Sequence, residues 1–233
     1  MSAENVRNIM GFASHGVPVT VLSMAMGGAS APTTLLGELL VINAEVIGYI
    51  AAIQALFPDA PALYGSVSSV LDVRSGLLAL SVPESGLIHA GCAAMARFYG
   101  LRSMCAGFRT DAKTLDGQAA FEKVVTVLPV LQEGADIIYG VAATDSGGTA
   151  SFIQAVMDDE MADGLRQMRW IPQLTHPRSS GGARSSGGDR PLGAGMDAPP
   201  PPDIRERAMA EVARVLATHE PEPLDEAAQE LGS

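Results

Sequence analysis

The stretch GFRTDAKTLDGQ, residues 107–118, places Arg109, Asp111, Lys113 and Asp116 within eight positions, in a chain of which only 18% is charged. A pocket at such a turn could use a charged pair, and the start of a helix favours the acidic groups. The same residues also fit a structural reading: Asp116 caps the helix, and Asp111 and Lys113 form a solvated ion pair worth about 0–1 kcal/mol. A second pattern is aromatic. Tyr64, Phe108 and Tyr139, three of only eleven aromatic residues, each fall in or at the end of a different strand candidate. Converging on one mouth, they would hold a methylated ammonium group by cation–π attraction at roughly 0.5–2 kcal/mol per ring; separately, each would fill core. TDSGGTAS, residues 144–151, puts Thr144 and Ser146 in a polar turn that either offers backbone N–H groups to an anion or is simply capped.

His89 and Cys92 are three apart on a helix candidate, a spacing two zinc ligands can use, but no further Cys-His cluster completes a site. No metal is expected, and both side chains are read as packing. His15, His176 and His219 are scattered without partners, and neither a G-x-S-x-G elbow nor a phosphate loop is present.

These groups must be positioned by elements that alternate between two periods. Short β-branched or apolar runs at VPVTVLSM, PALYGSVSS, RSMCAGF and ADIIYGVAA are each followed by a helical stretch. Pro129 should kink the third helix or end its first part. Four successive strand-helix units imply parallel strands joined by right-handed crossovers, whose carboxyl ends are where ligands bind. The expected class is therefore α/β. MAMGGASAPTT lacks the G-x-G-x-x-G spacing of a dinucleotide fold, which favours a partial (β/α)8 TIM-type barrel over an open sheet. VLDVRSGLLALSV, between the second strand and its helix, is either a functional loop or an inserted element.

The expected organisation is an N-terminal segment 1–16, a half-barrel 17–176, a Gly/Ser/Pro-rich linker 177–203, and a C-terminal helix with an acidic tail, 204–233. In that last helix Asp203 is the expected cap, and Ala208, Val212 and Leu216 the apolar stripe. The formal net charge of −11 argues against nucleic acid as a partner. Glu38, Asn43 and Glu45 interrupt the most apolar stretch, so a buried helix is expected there rather than a membrane span. Nothing in MSAENVRNIMGF reads as an export signal, and two cysteines suit buried thiols, so the expected location is cytoplasmic.

GASAPTTLLGELLVINAEVIG, YGSVSSVLDVRSG, FRTDAKTLDGQAAFEK, GADIIYG, DDEM and THEPEPLD together resemble the trimethylamine:corrinoid methyltransferase family, over about residues 17–176 and again from near 204. The resemblance implies a barrel enzyme that moves a methyl group from a methylated amine to the cobalt of a corrinoid carried by a separate protein. No pyrrolysine stands in this sequence, which points to the branch acting on quaternary amines such as glycine betaine. Under that implication Tyr64, Phe108 and Tyr139 line the methylammonium pocket, Arg109 or Lys113 pairs with a substrate carboxylate, and Asp111 and Asp116 hold the strand end. The resemblance falls on the later half of the family's longer chains. A half-barrel would expose two strand edges and pair with another copy or a separately encoded N-terminal half. The alternative is a noncatalytic remnant or assembly subunit, and a third reading is a barrel lyase or aldolase with Lys113 as the Schiff-base amine.

Overall fold

In the computed structural model, the described residues are 3–168 and 203–220. A first helix, α1 (Ala3–Ser14), leads into strand β1 (Val19–Ser23) and the two-residue β2 (Met26–Gly27). Helix α2 (Leu35–Leu56), β3 (Ala62–Ser66), β4 (Ser69–Asp72) and β5 (Leu77–Ala79) follow. Then come α3 (Pro83–Phe98), β6 (Arg102–Ala106), α4 (Gly117–Glu133) and β7 (Ile137–Tyr139). The short β8 (Ala143–Thr144) and β9 (Thr149–Ala150) precede α5 (Phe152–Met168), and α6 (Ile204–Thr218) comes last.

The principal sheet has the order β1-β3-β6-β7, all parallel. Strand order thus follows chain order, as expected when each crossover helix returns on the same face. One face is closed by helices. Val19, Val21, Tyr64 and Cys105 pack there with Ile42, Val46, Ile50 and Ile53 of α2, Ile88, Cys92 and Ala96 of α3, and Val130 of α4. Residues of opposite parity, Thr20, Leu22, Leu63, Met104 and Tyr139, occupy the other face, and Leu22 is 45% exposed. Four parallel strands with alternating helices are compatible with an arc of a barrel.

Helix α2 is long and apolar enough to cross a membrane by length and composition. In the fold, Glu38, Ile42, Val46, Ile50 and Ile53 form its buried stripe, at the spacing of a helix lying on a sheet. The two cysteines are free and buried.

Of the two readings of segment 70–82, the structure shows the inserted element: β4 pairs antiparallel with β5 and parallel with β2, forming a second, three-stranded sheet. Two expectations are corrected. Helix α4 runs unbroken through Pro129. Proline removes the amide that would bond the Val125 carbonyl, and that carbonyl lies where α3 crosses closely. A Cβ at Gly86 would come within 3.1 Å of Val125 O and 2.9 Å of Thr126 O. In α6, Asp203 does cap the first turn, accepting from Arg205 N at 2.7 Å, but of the expected stripe Ala208 is buried and Leu216 is 71% exposed. Helix α6 docks on α5 by its N-terminal half, where Arg207 pairs with Glu160. The linker 177–203 lies outside the described residues apart from Asp203.

Candidate functional site

The carboxyl ends of β6 and β7 open into three connected turns. After β6 the chain turns sharply at Phe108, which has φ 51°. Arg109 is fixed by its backbone, donating to Thr126 Oγ1 of α4 at 3.0 Å. After β7, Gly140 adopts φ 115°, a conformation closed to side chains, and a Cβ there would collide with the Gly107 carbonyl. Glycine is therefore required where the two strand ends cross. Ala142, Asp145 and Ser146 follow, all with positive φ.

Between these turns lies a cavity of about 180 Å³, lined by Leu80, Arg109, Thr110, Tyr139, Gly140, Ala143, Ser146 and Gly147. Arg109 Nη2 donates to Tyr139 Oη at 3.2 Å, and its Cζ lies 5.6 Å from the centroid of the same ring. Tyr139 Oη in turn donates to the Ser66 carbonyl at 2.7 Å. This tie across from β7 to β3 fixes the ring. Burial pushes the Tyr139 phenol pKa up, and Arg109 pulls it partly back.

Asp111 joins the turns. Its Oδ2 accepts from Ser81 Oγ at 2.7 Å and Ser81 N at 3.3 Å, and its Oδ1 accepts from Ser146 Oγ at 2.7 Å. The inserted hairpin, the β6 turn and the turn after β8 are thus held by one carboxylate. Glu122 of α4 supports the same turn, accepting from Thr110 Oγ1 at 2.6 Å and Asp111 N at 3.0 Å. Lys113 is not among the lining residues; its side chain is 81% exposed, 3.8 Å from Asp145. Asp116 is the N-cap of α4, accepting from Gln118 N at 2.9 Å and Ala119 N at 3.2 Å. The Thr114 hydroxyl, followed by those amides, lowers its carboxyl pKa. Thr144 is buried in β8.

The three aromatic rings do not converge. Tyr139 lines the cavity, but Tyr64 points to the opposite face of the sheet, where it is wholly buried and donates to Asn43 Oδ1 at 3.2 Å. Its register partner is Ser103, whose parity is opposite to that of Tyr139, so helix packing takes the ring. The turn at Phe108 sends its side chain under α4 and α5, against Val127, Leu131, Ala162 and Leu165. The expected aromatic cage is therefore corrected to one ring already faced by a guanidinium.

One feature escaped the sequence reading. Lys123 of α4 and Asp158 of α5 form a fully buried ion pair of 2.8 Å behind the cavity. Burial lowers the Lys123 pKa, opposed by the bond and charge of Asp158. A lysine two residues before the helix's Val-Thr-Val run, inside an apolar stripe, was the available signal. His89, read from the sequence as packing, is wholly buried, with Nδ1 accepting from Ala106 N at 3.3 Å and Nε2 lacking a partner. Burial, with Arg109 adding to it, pushes its pKa down to about 3 against a smaller opposing contribution from the Ser68 backbone. Glu38 is likewise buried, both carboxylate oxygens without a partner of good geometry. Its pKa rises to about 6 through burial, which the nearby Gly27 amide offsets only in part. Among the described residues no group of three or more His, Cys, Asp or Glu side chains is disposed to hold a metal ion.

A family model described as trimethylamine methyltransferase (MTTB) matches residues 2–173. The chain belongs to that family. The match begins at the N-terminal segment rather than near residue 17 and stops before α6, so the resemblance seen beyond residue 204 is not part of it. Trimethylamine methyltransferase MttB of Methanosarcina barkeri is 40% identical over 173 residues, covering 74% of this chain and 35% of the relative. A trimethylamine methyltransferase MttB of Desulfitobacterium hafniense is 40% identical over 150 residues, 64% of this chain and 30% of its own length. A glycine betaine methyltransferase of the same species is 36% identical over 155 residues, 66% of this chain and 32% of its own length. The matched part of the chain thus covers about a third of the length of the curated relatives.

Proposed function

We propose that this chain supplies the amine-binding part of a methyltransferase that passes a methyl group from a quaternary amine of the glycine betaine type to the cobalt of a corrinoid carried by a partner protein. The family match carries the reading, together with the kinship to a glycine betaine methyltransferase. The sheet is read as an arc of a TIM-type barrel, with the cavity at its carboxyl end where barrel ligands bind. At about 180 Å³ it is smaller than the roughly 300–1,000 Å³ of drug-sized pockets, which suits a small zwitterion.

In this reading Arg109 receives the substrate carboxylate, Tyr139 orients the guanidinium, and Lys113, outside the lining, adds positive potential to the surrounding surface. Asp111, Asp116, Thr144 and Ser146 hold the turns. Transfer breaks one N–CH3 bond, the electron pair stays on nitrogen to give a tertiary amine, and the methyl carbon bonds to cobalt using the metal's pair. No proton needs to move. The protein's contribution is alignment and exclusion of water. The proposed location is the cytoplasm.

Titration with glycine betaine and with trimethylamine, which lacks a carboxylate, tests the reading. Wild-type protein is expected to prefer glycine betaine, and Arg109→Ala to weaken it by at least tenfold while leaving trimethylamine unchanged. Equal losses for both ligands would remove the carboxylate role. A second reading, an assembly subunit that needs another chain, is favoured by the free edges of β1 and β7 among the described residues. Methylation of reduced corrinoid protein only after a barrel-completing polypeptide is added would select it.

A further inference from the structure

The two turns that frame the cavity share an unusual feature: Phe108 at φ 51° and Ala142 at φ 71° are non-glycine residues in the left-handed region. Such backbone persists only where surrounding contacts over-determine it. Both turns are held by the same buried pair. Lys123 Nζ donates to the Phe108 carbonyl at 2.9 Å and to Asp158 Oδ2 at 2.8 Å. That same Oδ2 accepts from Ala142 N at 2.8 Å, while Oδ1 accepts from Gln154 Nε2 at 2.6 Å. The line from Phe108 carbonyl through ammonium and carboxylate to Ala142 amide therefore spans the β6 and β7 turns from behind.

We infer that Lys123 and Asp158 are positioning residues, a buried strut that sets the separation of the β6 and β7 turns and with it the placement of Arg109 and Gly140 around the cavity. Arg109 follows Phe108 directly, and Gly140 lies two residues before Ala142, so rotation at either anchored residue displaces the cavity wall. Stability alone does not call for this arrangement. Buried ion pairs replaced by apolar residues of similar volume are often neutral or more stable, and the flanking residues Val127, Leu131, Ala162 and Leu165 already form an apolar cluster. What apolar replacements cannot provide is a donor for the Phe108 carbonyl and an acceptor for the Ala142 amide.

The inference rests on the proposed amine site for its functional consequence, but its structural part can be read without any ligand. Two double variants serve. Lys123→Met with Asp158→Leu removes the pair, and Lys123→Asp with Asp158→Lys keeps the charges while putting an acceptor against the Phe108 carbonyl and a donor against the Ala142 amide. Amide hydrogen exchange over 107–112 and 140–147 reports the turns, exchange over α2 and α3 reports the rest of the fold, and glycine betaine titration reports the cavity. For the apolar variant, exchange in both turns is expected to rise at least tenfold with α2 and α3 unchanged, and betaine affinity to fall by tenfold or more. The reversed pair, if folded, should behave the same despite its restored charges. Turns as protected as in wild type in the apolar variant, or loosened turns with betaine affinity intact, overturn the strut. If wild-type protein binds no betaine, the amine reading fails, and the exchange comparison alone still decides for or against the strut.

Discussion

Acidification should find the structure's weakest buried base, His89. Its ring is wholly buried on α3, Nδ1 accepts from Ala106 N, and Arg109 lies near enough to repel a second positive charge. The pKa falls from 6.5 to about 3, with desolvation as the main cause. A depressed folded pKa means that the unfolded chain binds the proton first. The contribution of His89 is therefore complete above pH 6.5 and is lost as pH falls toward 3. Each unit in that window removes up to about 1.4 kcal/mol, so about 2 kcal/mol is gone by pH 5. His89→Asn retains an acceptor for Ala106 N and removes the titration. Urea unfolding of both proteins at pH 7.5, 6, 5 and 4.5 is the assay, and the quantity of interest is the difference in stability at each pH. That difference should shrink on acidification with a slope approaching one proton. Parallel stability curves over this range would mean that His89 reaches water or a charge partner, and the reasoning from burial would be wrong.

Glu38 should show the opposite trend: its raised pKa leaves its contribution intact below pH 4.5 and lost as pH rises through about 6. Glu38→Gln should thus gain stability relative to wild type between pH 5 and 8, measured by the same unfolding curves. Tyr64→Phe removes only the bond to Asn43 and should cost about 1 kcal/mol in thermal unfolding with betaine affinity unchanged; a tenfold loss of affinity would return Tyr64 to the ligand site.

The sequence alone determined the alternation. Runs of β-branched residues separated by amphipathic stretches gave parallel strand-helix units, and the ends of those strands gave the neighbourhood of the site, because in such folds geometry brings the carboxyl ends together. Asp116 capping α4 and Asp203 capping α6 were equally readable, since caps are local. Arg109, Tyr139 and Ser146, each at or just past the end of a strand, line one cavity. Side-chain direction was a different matter. A one-residue change of parity put Tyr64 on the helix face and Tyr139 on the other, and strand boundaries read from composition do not fix parity. Positive φ at Phe108 turned its ring away from the mouth, a backbone choice enforced by Lys123, which lies fifteen residues away in sequence. The Lys123–Asp158 pair, thirty-five positions apart, and the burial of Glu38 and His89 exist only once helices pack, because both the loss of water and the meeting of charges are properties of tertiary contact.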